Sequence, residues 1–358
     1  MTVAPWQAQE WSKLVERRAR GNVPHALLLS GAPHIGKRAF AEQAAAMLLC
    51  EQDDDAPCGR CRSCKLFALR TQRDPEETRP DGTPAHPYGH PGHPDARFVG
   101  YVLNDKASPK KMYTELVVEQ IRDLSTWLAL PPQMGRAQVA LIDPADGLNG
   151  NAANALLKTL EEPGVGRHLI LVSSKPAQLP ATIRSRCQRI DFRLPAPAQA
   201  LAWLAAQGID AKTATPGLAA SGGNPGLALT WTKSGGLALR GDVAADLRAL
   251  HAGKTTPLEV ANRWSKADAE TRLWFAAALA QEQAHAQAQG IAGPLALTSG
   301  HDFTKLMVWF DQANRARAHL RGPLRPELVL LEVLSTWGAS APRGSGMLRQ
   351  RDATAPAR

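Results

Sequence analysis

The chain has 358 residues, 44% of them hydrophobic and 21% charged, which suits two or three folded domains and excludes a wholly disordered protein. Its formal net charge of +9 favours polyanionic partners, nucleic acid above all, although charge biases encounter without defining a fold. No apolar run approaches the roughly 18 residues of a membrane span, and the start, MTVAPWQAQEWSK, lacks a signal-peptide pattern. The sequence therefore predicts a cytoplasmic protein without membrane partners.

The first predicted strand leads into a glycine-rich loop, GAPHIGKR, at 31–38. The spacing GxxxxGK, with a helical segment after it, is typical of a phosphate-binding loop. In a hydrolysing loop the next residue is Ser or Thr, whose hydroxyl binds Mg²⁺, but Arg38 stands here. Gly31, Gly36 and Lys37 predict the fold of a nucleotide hydrolase. Because the guanidinium of Arg38 would repel a metal cation, we do not expect tight binding of Mg-ATP.

Four of the five cysteines fall within fifteen residues after that loop: Cys50, Cys58, Cys61 and Cys64. In a cytosolic chain the spacing C-x7-C-x2-C-x2-C is typical of a tetrahedral zinc site and not of a disulfide framework. Four thiolates complete the shell, so the predicted zinc site is closed and structural. The alternative, unrelated thiols in a loop, stays open. The fifth cysteine, Cys187, is predicted to be a small buried side chain, since no motif supplies an activating base.

Residues 71–95 form a polar segment rich in Pro and Gly, which predicts a mobile surface insertion. Its three histidines, His86, His90 and His93, are potential metal ligands. Because Pro and Gly separate them, we do not expect a preformed metal site in the insertion.

Five short segments are predicted to be strands, the first of them an apolar run, and segments of helical composition separate them. The strands are expected at 26–30, 97–102, 138–143, 168–172 and 188–192, and the helices at 39–49, 113–130 and 151–162. Strands that alternate with helices imply an α/β domain with a mainly parallel five-stranded sheet.

Composition changes after the last strand, and we divide the chain there. A proline-flanked linker precedes an Ala- and Leu-rich, wholly helical remainder, and the end of the chain is rich in Gly, Ser, Pro and Arg. The predicted domains are an α/β core at 1–194 with its cysteine module at about 50–64, a small helical domain at 195–238, a larger helical domain at 239–340 and a disordered tail at 341–358.

The strand at 138–143 is a candidate for the second nucleotide-binding element. A Walker B strand ends in an Asp that holds Mg²⁺, and in many ATPases a water-activating Glu follows. Here Asp143 is followed by Pro144, and the next carboxylate, Asp146, lies three residues on. With Arg38 in the loop as well, hydrolysis by the chain alone is not expected.

Three sequence features together resemble one family. They are the segment DPADGLNGNAANALLKTLEEPG at 143–164, the tripeptide Ser185-Arg186-Cys187 and the cysteine cluster after the phosphate loop. These resemble the bacterial clamp-loader subunits of the AAA+ class, strongly over 20–195 and loosely over 196–340. The altered loop and Asp-Pro-Ala-Asp resemble the delta-prime group of these subunits, whereas the gamma/tau group keeps the Thr and the Glu.

The resemblance implies that Arg186 is an arginine finger, which reaches the γ-phosphate of ATP bound to a neighbouring subunit. A guanidinium is always charged and donates two parallel hydrogen bonds to phosphate, which suits this role. The alternative is a surface arginine in a local ion pair. The resemblance also implies a polar sensor in the region of Ser173 and Ser174, and a second, arginine sensor near 221–229, where no Arg occurs.

The function implied is that of a non-hydrolysing subunit of the DNA polymerase III clamp loader. It would form a ring with gamma/tau and delta subunits that places the sliding clamp on primer–template DNA. The helical domains would be a lid (195–238) and a collar (239–340), and the basic charge fits contact with DNA phosphates. Two alternatives remain: an ATP-hydrolysing gamma/tau-type subunit, and a zinc-containing nucleic-acid-binding protein on an inert AAA+ scaffold.

Overall fold

The computed structural model describes residues 3–53, 57–71, 89–104, 111–297, 302–320 and 324–337. The chain forms two compact units, one ending at Ser234 and the other beginning at Gly235. The predicted tail at 341–358 and residues 72–88 of the predicted insertion lie outside the described residues. Within the described ranges, no helix has both the length and the apolar composition needed to cross a membrane.

The strands of the described residues all lie in the first unit: β1 (Ala26–Gly31), β2 (Arg70–Thr71), β3 (His90–Pro91), β4 (Ala96–Val99), β5 (Leu103–Asn104), β6 (Lys111–Met112), β7 (Gln138–Ile142), β8 (Arg167–Ser173) and β9 (Gln188–Phe192). Five of them form one sheet in the order β4-β7-β8-β1-β9, with every pairing parallel. The pairs β2–β3 and β5–β6 are antiparallel. The predicted α/β class with a mainly parallel five-stranded sheet is confirmed.

The helices of the first unit are α1 (Ala8–Ala19), α2 (Lys37–Leu49), α3 (Arg62–Ala68), α4 (Val118–Ala129), α5 (Gly150–Glu161), α6 (Ala181–Arg184), α7 (Pro197–Ala206), α8 (Ala211–Ala220) and α9 (Pro225–Ser234). The helix expected from residue 113 begins only at Val118, because the chain pairs as β6 just before it and Leu116 bridges to Leu148.

The central strands of the sheet, β1, β7 and β8, are buried on both faces. Leu27 and Leu29 of β1 face one apolar cluster, which includes residues of α1 and α2. Ala26 and Leu28 face the other, which includes residues of α4 and α5. Parallel strands covered on both sides have continuously apolar sequences, which explains the runs ALLL, VALI and LILV. Because all five strands run the same way, the loops after β1, β7 and β8 meet at one edge.

The second unit is helical throughout its described residues, as predicted: α10 (Gly236–His251), α11 (Pro257–Trp264), α12 (Ala269–Ala288), α13 (Phe303–His319) and α14 (Pro326–Thr336). Buried indoles link these helices, since Trp337 Nε1 donates to the Leu247 carbonyl at 2.9 Å and its ring centre lies 4.6 Å from that of Trp309. The expected boundary between 238 and 239 falls inside the first turn of α10, whereas the units divide before that helix.

Candidate functional site

The glycine-rich loop joins β1 to α2 at the carboxyl edge of the sheet. Gly31 and Gly36 have positive φ angles of 148° and 93°, a region in which glycine is unstrained. His34 between them also has a positive φ, of 60°. A Cβ on Gly31 would lie 2.5 Å from the Phe192 carbonyl oxygen, so only glycine fits where β1 meets β9. The loop therefore has the strand–loop–helix context predicted for a phosphate site.

The ammonium group of Lys37 is bound by the loop itself. Its Nζ donates to the carbonyl oxygens of Gly31 at 2.8 Å and Ala32 at 2.6 Å, and to Ser174 Oγ at 3.1 Å. An ammonium has three donors, and the residue is only 5% exposed. A phosphate would have to replace these acceptors in order to bind Lys37.

Arg38 forms an ion cluster where a hydrolysing loop binds its metal. Its Nε donates to Glu42 at 2.6 Å and its Nη1 to Asp143 at 3.2 Å. The second oxygen of Glu42 accepts from Arg70 at 3.2 Å, and the Arg38 guanidinium lies 4.6 Å from the ring centre of Phe98. The side chains of Glu42 and Asp143 are 1% and 6% exposed. A guanidinium thus neutralises Asp143, the carboxylate predicted for the Walker B position.

Sequence reasoning identified Arg38 and Asp143 but missed Glu42 and Arg70. The i,i+4 spacing of Arg38 and Glu42 on α2 is a usable signal for an ion pair. Arg70 lies 28 residues beyond Glu42 in the sequence, and no local spacing rule relates the two. Burial lowers the pKa of Arg70 and the charge of Glu42 opposes this shift.

Asp146, the substitute carboxylate considered for the Walker B element, is occupied by the turn after β8. It accepts hydrogen bonds from the backbone N–H groups of Ser174 at 2.8 Å and Lys175 at 3.1 Å, and from the hydroxyl of Ser173. The carboxylate therefore fixes the turn that contains both predicted sensor serines.

The segment predicted for the second sensor packs directly on the phosphate loop. Asn224 Nδ2 donates to the Pro33 carbonyl oxygen at 2.7 Å. Gly226, in the first turn of α9, approaches so closely that a Cβ there would overlap the His34 carbonyl oxygen. Helix α9 therefore covers the middle of the loop with small and neutral residues instead of an arginine.

Arg186 lies on the surface just after α6, between the buried side chains of Ile183 and Cys187. Its Nη2 pairs with a carboxylate oxygen of Glu161 at 2.6 Å, and its Nη1 donates to the Thr182 carbonyl oxygen at 2.9 Å. The side chain is 36% exposed. Burial raises the pKa of the Cys187 thiol to about 11, which agrees with the unreactive buried side chain predicted for it.

The four clustered cysteines converge, and all four of their sulfur atoms lie within 4.8 Å of one another. The sulfur atoms of Cys50 and Cys61 are 4.0 Å apart, and those of Cys58 and Cys64 are 3.9 Å apart. In a tetrahedral site with Zn–S bonds of about 2.3 Å, sulfur atoms lie about 3.8 Å apart. The donor set therefore fits a zinc ion held by four thiolates.

Two helix ends bring these sulfurs together. Cys50 follows the last residue of α2, and Cys61 caps α3 by accepting the Cys64 N–H at 3.3 Å. The Cys61 N–H donates to the Cys58 sulfur at 3.4 Å and lowers the pKa of that thiol to about 6. Burial instead raises the pKa of Cys64. Such N–H donors orient thiolates as outer-shell groups do in metal sites.

His93, expected in a mobile insertion, is buried beside the cysteine module. Its Nδ1 accepts the Asp95 N–H at 3.0 Å, so in the neutral ring Nε2 carries the proton. That nitrogen lies 2.8 Å from Ser63 Oγ, whose hydroxyl donates to the Leu49 carbonyl oxygen at 2.6 Å. Burial lowers the pKa of His93. The segment 89–95 is thus packed, because this chain of hydrogen bonds ties it to the module.

The three histidines of the insertion do not form a site in the described residues. His86 lies outside them, and His90 pairs with Thr71 in the ribbon of β2 and β3. The metal-ligand group found among the described residues consists of the four cysteines.

Comparisons with known proteins agree with these features. Residues 6–196 match the family model described as DNA polymerase III, delta subunit. The DNA polymerase III subunit delta' of Pseudomonas aeruginosa is 38% identical over 226 residues, which cover 62% of this chain and 59% of that protein. The delta' subunit of Escherichia coli is 33% identical over 228 residues, or 63% of this chain and 59% of that protein. The chain thus spans about three fifths of the length of these relatives.

Other similarities are weaker. The DNA polymerase III subunit tau of Salmonella typhimurium is 36% identical over 174 residues, which cover 48% of this chain and 22% of that protein. A solved structure of a gamma subunit-related protein from Thermotoga maritima aligns over 92% of this chain and 97% of its own at 14% identity and a TM-score of 0.37, a score too low to support any conclusion.

Proposed function

The chain belongs to the DNA polymerase III delta subunit family, whose model matches more than half of it, and we propose that it is a clamp-loader subunit of the delta-prime type. In this proposal the isolated chain catalyses no reaction. It forms part of a ring with gamma/tau-type and delta-type subunits, and the ring places a sliding clamp on primer–template DNA. The net charge of +9 supports contact with DNA phosphates.

The ion pair between Arg38 and Asp143 carries the non-hydrolysing part of the proposal. Phosphoryl transfer needs Mg²⁺ to bridge the phosphates and neutralise developing charge. Here the carboxylate that would hold the metal is nearly buried and already paired with a guanidinium. Breaking that pair leaves an uncompensated charge in a poorly solvated place. We therefore expect the loop to bind Mg-ATP weakly.

The catalytic contribution of the chain is proposed to come from Arg186, as a finger toward ATP on a neighbouring subunit. The partial exposure of its guanidinium supports this role, and so does the permanent charge of arginine. Its pair with Glu161 is a surface ion pair, which is weak enough to give way to a phosphate.

Zinc is the proposed resident metal, held by Cys50, Cys58, Cys61 and Cys64. When bound, it cross-links the four thiolates and adds its binding free energy to folding. The chain's own residues hold the sulfur atoms in place through backbone N–H groups and the two helix ends.

For the domains we propose a lid at 195–238 and a collar at 239–340 that assembles the ring. Support comes from the wholly helical character of the described residues beyond Pro197.

The test is reconstitution with the gamma/tau-type and delta-type subunits, followed by steady-state ATPase assays with clamp and primed DNA. We expect no hydrolysis by the isolated chain, and assembly with a large loss of stimulated activity for Arg186→Ala. Hydrolysis by the isolated chain that Lys37→Ala abolishes would favour a gamma/tau-type ATPase. Tight, strongly salt-dependent DNA binding without assembly would favour a nucleic-acid-binding protein on an inert scaffold.

A further inference from the structure

Glu161 is the last residue of α5 and the ion-pair partner of Arg186. One of its carboxylate oxygens lies 2.6 Å from Arg186 Nη2, while Arg186 Nη1 donates to the Thr182 carbonyl oxygen at 2.9 Å. The Thr182 contact engages one of the five N–H groups of the guanidinium, and the Glu161 carboxylate lies against Nη2 as an ion pair. The remaining donors are available on a side chain that is 36% exposed.

The position of Glu161 is not explained by the stability of its helix. A carboxylate at a helix C-terminus interacts unfavourably with the unpaired carbonyl groups there, and Lys158 is the basic residue of the last turn of α5. Among the residues that the structure describes, the side chain of Glu161 forms its ion pair with Arg186.

Both ends of the pair rest on fixed structure. The end of α5 is held by His25, whose Nε2 lies 3.1 Å from the Leu160 carbonyl oxygen. On the other side, Ile183 and Cys187 are buried and flank Arg186. The carboxylate and the backbone of Arg186 are therefore both attached to ordered structure, and the ion pair restrains the guanidinium at the tip of the side chain.

We propose that Glu161 is a positioning residue for Arg186, and this rests on the proposed role of Arg186 as a finger. Glu161 and the Thr182 carbonyl hold the guanidinium in place before the neighbouring subunit arrives. Binding of a phosphate then costs less conformational entropy of the Arg186 side chain, which is how preorganisation assists a transition state. Because the pair is a surface one, it orients the guanidinium without withholding it from a more highly charged phosphate.

The test compares complexes that contain the wild type, Glu161→Ala, Glu161→Gln and the matched control Glu162→Ala. The control removes the adjacent carboxylate from the same helix end. The measured quantities are kcat and KM for ATP with clamp and primed DNA, and the thermal midpoint of the free chain. For Glu161→Ala we expect kcat to fall about three- to fivefold, with KM and thermal midpoint unchanged. Glu161→Gln, which keeps an acceptor but loses the charge, should fall between; Glu162→Ala should match the wild type.

A double-mutant cycle separates positioning from other effects. In an Arg186→Ala background, Glu161→Ala should cause no further loss of kcat. Wild-type kcat in Glu161→Ala, an increase in kcat, or a loss that persists in the Arg186→Ala background overturns the positioning role. If Arg186→Ala itself keeps full activity, the finger fails and the positioning role fails with it. If Arg186→Ala loses activity but Glu161→Ala does not, only the positioning role fails.

Discussion

The phosphate loop and the cysteine module each bring together side chains that can surround a cation, but they differ in where the cation comes from. In the loop, the cation is part of the chain, because Arg38 lies between Glu42 and Asp143. In the module, four sulfur atoms converge with spacings of 3.9 and 4.0 Å for two of their pairs, and all four lie within 4.8 Å of one another. A covalently attached charge makes the first site independent of metal, whereas the geometry of the second suits a metal.

The two clusters are also joined. Arg70, which follows α3, forms an ion pair with Glu42 on the helix that begins at the phosphate loop. The rings of Phe67 and Phe98 lie 6.2 Å apart beside this pair. The contrast between the clusters can therefore be tested by changing one and measuring the other.

The largest effect is expected from removing a metal ligand. Cys64→Ser should abolish stoichiometric zinc and lower the free energy of unfolding by about 5 kcal/mol or more, because a structural zinc contributes its binding free energy to folding. Metal analysis of the purified chain and urea denaturation provide the measurements. Cys187→Ser, a buried cysteine outside the cluster, is the control and should retain its zinc. If the wild-type chain contained no zinc and were no more stable than Cys64→Ser, the cysteine module would not be a structural zinc site.

The next largest effect concerns the internal cation. Arg38→Thr removes the guanidinium that pairs with Asp143 and Glu42 and should lower the free energy of unfolding by about 3–5 kcal/mol, the cost of breaking a buried pair. The new hydroxyl and two carboxylates are oxygen ligands of the kind that Mg²⁺ prefers. Millimolar Mg²⁺ should therefore raise the thermal midpoint of this variant and leave that of the wild type unchanged.

Arg38→Met is the matched control for the internal cation, since it removes the charge without adding a hydroxyl. It should be destabilised but regain less stability with Mg²⁺ than Arg38→Thr. Equal responses of wild type and Arg38→Thr to Mg²⁺ would show that Arg38 does not stand in for a metal.

A smaller effect is expected at the link between the module and the sheet. Ser63→Ala removes the acceptor of His93 and the donor to Leu49, and leaving buried polar groups unpaired costs about 1–3 kcal/mol. Urea denaturation at pH 7.5 measures this, with zinc content expected to stay stoichiometric. Ser12→Ala, which removes an exposed hydroxyl on α1, should change stability by less than about 0.5 kcal/mol.

The smallest effect is a pH dependence. Burial lowers the pKa of His93 below its ordinary value of 6.5, so below that pH the unfolded chain binds a proton that the folded chain does not. Stability should therefore fall as the pH is lowered below 6.5. In His93→Gln the slope of unfolding free energy against pH should be shallower. The slope that remains in this variant should include a contribution from His168, because burial also lowers the pKa of that residue. An unchanged slope would contradict the buried, neutral His93.

Much of this molecule is determined by short stretches of sequence. Apolar runs are the signal for the three central strands, β1, β7 and β8, because a strand buried on both faces needs no polar alternation. The GxxxxGK spacing predicted the path of the loop, and the C-x2-C-x2-C run predicted the convergence of thiols, because turns and helix caps act over a few residues.

Only the tertiary structure decided how the charges are paired and which segments are covered. Asp143 lies 105 residues from Arg38, and they meet because β1 and β7 end at the same edge of a parallel sheet. The composition around His93 indicates a flexible insertion, yet the residue is buried and hydrogen-bonded to Ser63. Helix α9 closes over the loop at Gly226. The sequence alone determined that the phosphate loop lacks a metal ligand, and the fold determined that Arg38 occupies that place, since such contacts depend on which strand ends meet.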